Sequence, residues 1–170
     1  MDELQKTSMR LRSAGDGLRW SAPESWHITL QFLGNAGQQP YECIVGRLRA
    51  LRMPPVPIGL GGIGFFDRAG IVFASVQVSP ELCLLQLGIT QATQACGFVP
   101  ETRPYQPHIT LARAKAKRQL KSLIELKARI ARQPAFPGFV AQEFLLYESF
   151  LLPAGARHEV RERFPLGHNR

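Results

Sequence analysis

The sequence predicts an α+β fold of two related lobes, carried as a single bilobal domain over residues 1–170. Three observations predict it. The tetrapeptide His27-Ile28-Thr29-Leu30 recurs as His108-Ile109-Thr110-Leu111, 81 residues later. Segments of helical and of strand period follow one another in the same order around each copy. The chain, 170 residues with 45% apolar and 20% charged, is long and apolar enough to bury a real core.

The elements follow in order. Leu4 and Leu11 at helical spacing, with Gly15 as a stop, predict a helix over 2–14. Residues 26–33 read as the first His strand. Tyr41, Ile44, Val45, Leu48 and Leu51 recur with period 3.6 and predict a helix over 40–52, ended by Pro54, Pro55 and Pro57. Residues 58–66 read as a short strand running into a glycine-rich loop, and Ile71 to Val78 as a β-branched strand. Pro80 opens a helix through Leu82, Leu85, Ile89 and Ala92, with Gly97 as its stop. The second His strand starts at His108. Leu120, Leu123, Ile124 and Ile130 mark a helix over 118–131, Phe139 to Leu152 reads as a bent strand, and 153–170 as a largely polar tail.

Aligned on the two His motifs, the halves match except that the first lacks an opening strand. The expectation is therefore two lobes with the His strands lining a central cleft, and a first lobe missing its first strand. That would leave an unpaired sheet edge through which an otherwise monomeric chain could associate.

In a strand, side chains alternate faces, so each copy of the tetrapeptide buries Ile and Leu on one side and presents His and Thr on the other. Two imidazoles near neutral pH supply a general base and a general acid. Opening a strained cyclic phosphate needs that pair: one takes a proton from attacking water, the other protonates the departing sugar oxygen. The hydroxyls of Thr29 and Thr110 would bind the non-bridging phosphate oxygens. The scheme needs no cofactor and no metal. Zinc usually asks for three or four ligands, and only His158 and His168 remain. No G-x-S-x-G marks a covalent nucleophile, and glycines 59–64 lack the Lys-Ser/Thr of a phosphate loop.

The net charge is +8, and residues 101–132 hold nine Lys/Arg against two Glu. RNA is a fitting partner for such a segment, although charge alone fits a solvated helix face equally well. The acidic start Met1-Asp2-Glu3 reads as no secretory signal, and no apolar run reaches bilayer length, so no membrane partner and a cytoplasmic setting are expected. Cys43, Cys83 and Cys96, odd in number and without metal spacing, read as reduced core thiols.

The stretch Arg19-Trp20, Pro23-Glu24 and His27-Ile28-Thr29-Leu30-Gln31-Phe32-Leu33-Gly34 resembles the first signature of the RNA 2′,3′-cyclic phosphodiesterases. These are the 2′-5′ RNA ligase-like members of the two-histidine (2H) phosphoesterase superfamily. Gly64-Phe65-Phe66 is similar to the family's central turn, and Pro107-His108-Ile109-Thr110-Leu111-Ala112-Arg113 to its second signature. Tyr147-Glu148-Ser149 and Phe164-Pro165-Leu166 resemble its ending, whereas Arg157-His158 stands where an aromatic is common.

The resemblance implies hydrolysis of an RNA 2′,3′-cyclic phosphate end to a 2′-phosphate, with His27 and His108 as acid and base and Thr29 and Thr110 on the phosphate. It further implies a phosphate contact from Arg113, base or ribose packing from Phe32 and Phe66, and the reverse 2′-5′ joining. The rival readings are a relative acting on a small cyclic nucleotide or ADP-ribose 1″,2″-cyclic phosphate, and an RNA-binding protein without turnover. Phe32 and Arg113 pose a geometric problem. Each lies five residues past its His, an odd offset that a regular strand turns to the opposite face, where Phe32 would be a core aromatic. They reach the His face only where the strand ends, bulges or twists.

Overall fold

The computed structural model describes residues 2–13, 16–114, 126–130, 136–152 and 155–167, the side chains of 151, 152, 155 and 156 excepted. The elements run α1 (Asp2–Leu11), β1 (Leu18–Trp20), a 3-10 turn (Pro23–Ser25), α2 (Gln38–Ala50), β2 (Val56–Ile58), β3 (Leu60–Phe66), β4 (Ile71–Val76), α3 (Pro80–Gln94), β5 (His108–Ala114), β6 (Phe139–Ala141), β7 (Glu143–Leu152) and β8 (Gly155–Pro165). Residues 126–130 are helical. The fold class is α+β, as the sequence predicts, and the paired strands are antiparallel.

The chain forms two compact units that interleave rather than follow the halves of the repeat. The first takes Met1–Thr29, Gly59–Gln77 and Gln106–Gly138; the second takes Leu30–Ile58, Val78–Tyr105 and Phe139–Arg170. Both His motifs therefore begin in the first unit.

The first unit is built on a four-stranded antiparallel sheet in the order β1-β5-β4-β3. One face supplies its core: Leu18, Leu60, Ile63, Val72, Ala74, Val76, Ile109, Leu111 and Ala112 are buried. Helix α1 buries Leu4, Thr7, Ser8 and Leu11, a stripe at helical spacing, and Leu126 and Ile130 are buried as well. The β3–β4 turn closes on Gly70, whose positive φ of 62° suits glycine, with its N–H donating to the Phe66 carbonyl at 2.8 Å.

In the second unit, α2 and α3 pack together with Ile44, Val45, Leu48, Leu82, Leu85 and Ile89 buried. Ser79 caps α3 by accepting from the Leu82 N–H at 3.1 Å, with Pro80 as the first helical residue. Two two-stranded sheets, β2-β6 and β7-β8, complete it.

Four expectations change. The first His strand, 26–33, shrinks to one isolated bridge at Ile28, and residues 29–37 carry no strand. The glycine-rich loop is instead strand β3 from Leu60 to Phe66, separated from β2 only by Gly59, and it absorbs one extra residue between Leu60 and Ile63 as a bulge. The polar tail is strand β8. Its alternation is of charge rather than apolarity, and Arg161 and Arg163 pair across the hairpin with Glu148 and Glu143. Cys43 and Cys96 are not free thiols: they form a disulfide, their Cα atoms 5.8 Å apart. The packing of α2 on α3 brings together two residues 53 apart in sequence, which spacing alone hides. Cys83 is free and exposed. The helix expected over 118–131 is described only for 126–130, and Lys115, Lys117, Arg118 and Lys121 lie outside the described residues.

Candidate active site on one sheet face

Strand β5 sets the site. It pairs with β4 at Ser75↔His108, Ala74↔Ile109 and Phe73↔Thr110. Ala74 and Ile109 are buried, so the pleat turns His108, Thr110, Phe73 and Ser75 to the other face, where all four are half-buried. Beyond Thr110 the register slips, with Val72 opposite Ala112 and Ile71 opposite Arg113. Leu111 is the extra residue of a β-bulge. It lets Leu111 and Ala112 both be buried, and it shifts the alternation by one. Arg113 thereby lands on the same face as His108 and Thr110, exposed. The odd offset is resolved by a bulge.

The first His segment reaches this face through β1. Leu18↔Ala114, Arg19↔Arg113 and Trp20↔Ala112 pair along β5, and the Ser21 N–H donates to the Leu111 carbonyl at 2.8 Å. The chain then detours through the 3-10 turn and returns at the antiparallel bridge Ile28↔Ile109. The two copies of the tetrapeptide are thus paired with each other. An antiparallel bridge at the two isoleucines sets His27 opposite Thr110 and Thr29 opposite His108, with all four side chains on the face away from Ile109. The two histidines are then diagonal neighbours, about 7–8 Å apart.

The imidazoles are held alike. Nδ1 of His27 lies 2.8 Å from the Ser25 carbonyl, and Nδ1 of His108 lies 2.8 Å from the Gln106 carbonyl. A carbonyl only accepts, so each neutral ring carries its proton on Nδ1 and its lone pair on Nε2. The His108 ring also meets Phe66 and Phe73 edge-on, at centroid distances of 5.1 and 5.6 Å, and those two rings stack at 4.0 Å. Gly64 makes room for them: a Cβ there would lie 2.5 Å from Cζ of Phe73.

Six of the seven residues singled out in the sequence, His27, Thr29, His108, Thr110, Arg113 and Phe66, therefore share one face of one unit. Phe32 belongs to the second unit and is 80% exposed, so it is not the core aromatic that strand alternation implies. Phe73, Ser75 and Arg19 also belong to the face and were not singled out as site residues. Alternation in Ile71-Val72-Phe73-Ala74-Ser75-Val76 was the available signal for the first two. Two imidazoles and two hydroxyls on one face, flanked by a guanidinium, suit a phosphate ester undergoing proton transfer at two oxygens. Among the described residues no three His, Cys, Asp or Glu are grouped to hold a metal. No described helix is long and apolar enough to cross a membrane.

The sequence model of the 2′-5′ RNA ligase superfamily matches residues 2–147. The RNA 2′,3′-cyclic phosphodiesterase of Aeropyrum pernix is 31% identical over 129 residues, covering 74% of this chain and 69% of that protein. The protein of the same name from Methanothermobacter thermautotrophicus is 29% identical over 170 residues, covering 97% and 91%. The crystal structure of E. coli LigT complexed with 3′-AMP matches with a TM-score of 0.76 over 99% of this chain and 94% of that one. Its 21% identity makes this a likeness of fold.

Proposed function

The chain belongs to the 2′-5′ RNA ligase superfamily, and on that premise we propose that it hydrolyses RNA 2′,3′-cyclic phosphate ends by acid–base catalysis between His27 and His108. The observation that carries this reading is the Ile28↔Ile109 bridge, which sets both imidazoles and both threonines on one sheet face.

His108 is the base. Its Nε2 takes a proton from water as the water oxygen forms a bond to phosphorus. His27 is the acid, and it gives a proton to the 3′-oxygen as the P–O3′ bond breaks. The product carries a 2′-phosphate and a 3′-hydroxyl, and the two histidines have exchanged protonation states. Thr29 and Thr110 donate to the non-bridging oxygens, and the Arg113 guanidinium, farther along the same face, contacts phosphate of the bound RNA end. Phe66 packs against the terminal ribose or base beside His108, and Phe32 offers an exposed ring for a base. With a 5′-hydroxyl in place of the water, the same proton transfers break P–O3′ and join that hydroxyl to phosphorus as a 2′-5′ bond.

The protein acts as a monomer on RNA in the cytoplasm, where the Cys43–Cys96 bond would meet a reducing pool. The duplicated order of elements supports two related lobes.

The test is incubation with an RNA oligomer ending in 2′,3′-cyclic phosphate, followed by identification of the terminal group. A 2′-phosphate is expected. A 3′-phosphate product, or no turnover of the oligomer, would overturn the reading.

A further inference from the structure

The like-charged pair Arg19↔Arg113 stands directly opposed across β1 and β5. Its position follows from the register. Arg113 is on the His face because of the Leu111 bulge, and Arg19, between the core residue Leu18 and the half-buried Trp20, turns to the same side. Both side chains are exposed. Directly opposed like charges on a sheet face are destabilising, and among the described residues no acid forms an ion pair with either. The carboxylate of Asp16, near in sequence, accepts from the N–H groups of Ser13 and Leu18 and from the Trp20 indole. Two guanidinium forks facing one gap on an open surface make a site for an oxyanion, above all a phosphate.

The spacing along the face says which phosphate. His108, Thr110 and Arg113 lie opposite Ser75, Phe73 and Ile71, which are successive residues on one face of β4. Each step is two strand residues, about 7 Å. The Arg pair thus sits one such step beyond Thr110 and two beyond His108, with the half-buried Ile71 beside it. A phosphate held between the histidines and threonines leaves the Arg pair for a second phosphate farther along the same strand of nucleic acid.

We infer that Arg19 and Arg113 together bind the phosphodiester that joins the terminal nucleotide to the rest of the RNA, so that Arg19 selects polynucleotide ends over mononucleotides. The inference rests on the proposed activity for the identity of its ligand. Arg19 does not touch the reacting phosphate; it sets which substrates are held.

The test compares wild type, Arg19→Gln and Arg19→Lys in binding an RNA oligomer ending in 2′-phosphate and the matching nucleoside 2′-phosphate, across a series of salt concentrations. Arg19→Gln should weaken oligomer binding by about tenfold relative to the mononucleotide. It should also reduce the slope of log affinity against log salt by about 0.7, one phosphate's worth for a single strand. Arg19→Lys should keep the salt slope. With no anion present Arg19→Gln should melt above wild type, because the opposed charge is gone. Equal losses on oligomer and mononucleotide, or no loss on either, would overturn the inference. Turnover is scored separately: a wild type that opens no cyclic phosphate but shows this oligomer preference, lost in Arg19→Gln, refutes the proposed activity and leaves the Arg site standing.

Discussion

The two copies of His-Ile-Thr-Leu are identical in sequence and held in different ways. The second lies inside β5, paired with β4, and β5 is paired with β1 just beyond it, at Ala112–Ala114. Its isoleucine is 2% exposed, and its imidazole meets the rings of Phe66 and Phe73. The first touches the sheet through one bridge, at the end of a detour from β1, and its isoleucine is half-buried. One histidine is therefore fixed by a sheet, while the other is placed by a turn that a single backbone pairing anchors. The reaction asks the same of both rings, a proton moved at Nε2, and the shared contact from Nδ1 to a carbonyl two residues earlier meets that need in either setting. The duplicated motif preserves local chemistry, and the surrounding strands decide how firmly each copy is held.

The largest expected effect tests whether the two copies are equal in chemistry. His27→Ala and His108→Ala should each slow cyclic-phosphate opening by roughly 10²–10⁴-fold, the usual worth of general acid–base catalysis. The pH profile separates the roles. A base works only when deprotonated, so activity rises with pH on its account, and His108→Ala should lose that rising limb. An acid works only when protonated, and His27→Ala should lose the falling limb. Two variants with the same remaining limb, or full activity in either, would break the assignment.

A smaller pair of effects tests the difference in support. Ile109→Ala empties a fully buried site and should cost about 2–5 kcal/mol of stability. The protein that stays folded should keep most of its activity, because β5 remains paired on both sides. Ile28→Ala, at a half-buried site, should cost about 1 kcal/mol but loosen the one bridge that places His27. Small misplacement of a catalytic group costs far more in rate than in stability, so its kcat should fall about tenfold or more. Denaturant melts and kinetics on the two variants decide this. Equal ratios of activity loss to stability loss would mean that the bridge does not position His27.

The sequence showed the two His/Thr pairs because strand period and an exact repeat are both visible in one dimension. It did not show that Arg113 joins them. That depends on a bulge at Leu111, in the apolar run Leu111-Ala112, where no glycine or proline marks the irregularity. Phe73 and Ser75 were hidden for another reason. Their alternation was readable, but which face of β4 meets the histidines is a matter of register, set by pairing between residues more than 30 positions apart. The β8 strand escaped because ion pairs, rather than apolar residues, line much of its length. The Cys43–Cys96 bond escaped because it depends on how two helices pack. Local periodicity was legible, and features that long-range register creates were not.

The smallest effect is a control that makes the Ile28 result interpretable. Ser79 caps α3 in the second unit by accepting from the Leu82 N–H, and it belongs to none of the rows that carry His27, Thr29, His108 or Thr110. Losing such a cap costs about 1 kcal/mol, close to the cost expected for Ile28→Ala. Ser79→Ala should therefore lower the denaturation midpoint by a similar amount while kcat and KM at a temperature well below melting stay at wild-type values. With stability loss matched between the two variants, any difference in kcat reports position rather than general softening of the fold. If Ser79→Ala slowed the reaction as much as Ile28→Ala, the rate would be following overall stability, and the distinction between the histidine held inside a strand and the one held at a turn would lose its kinetic meaning.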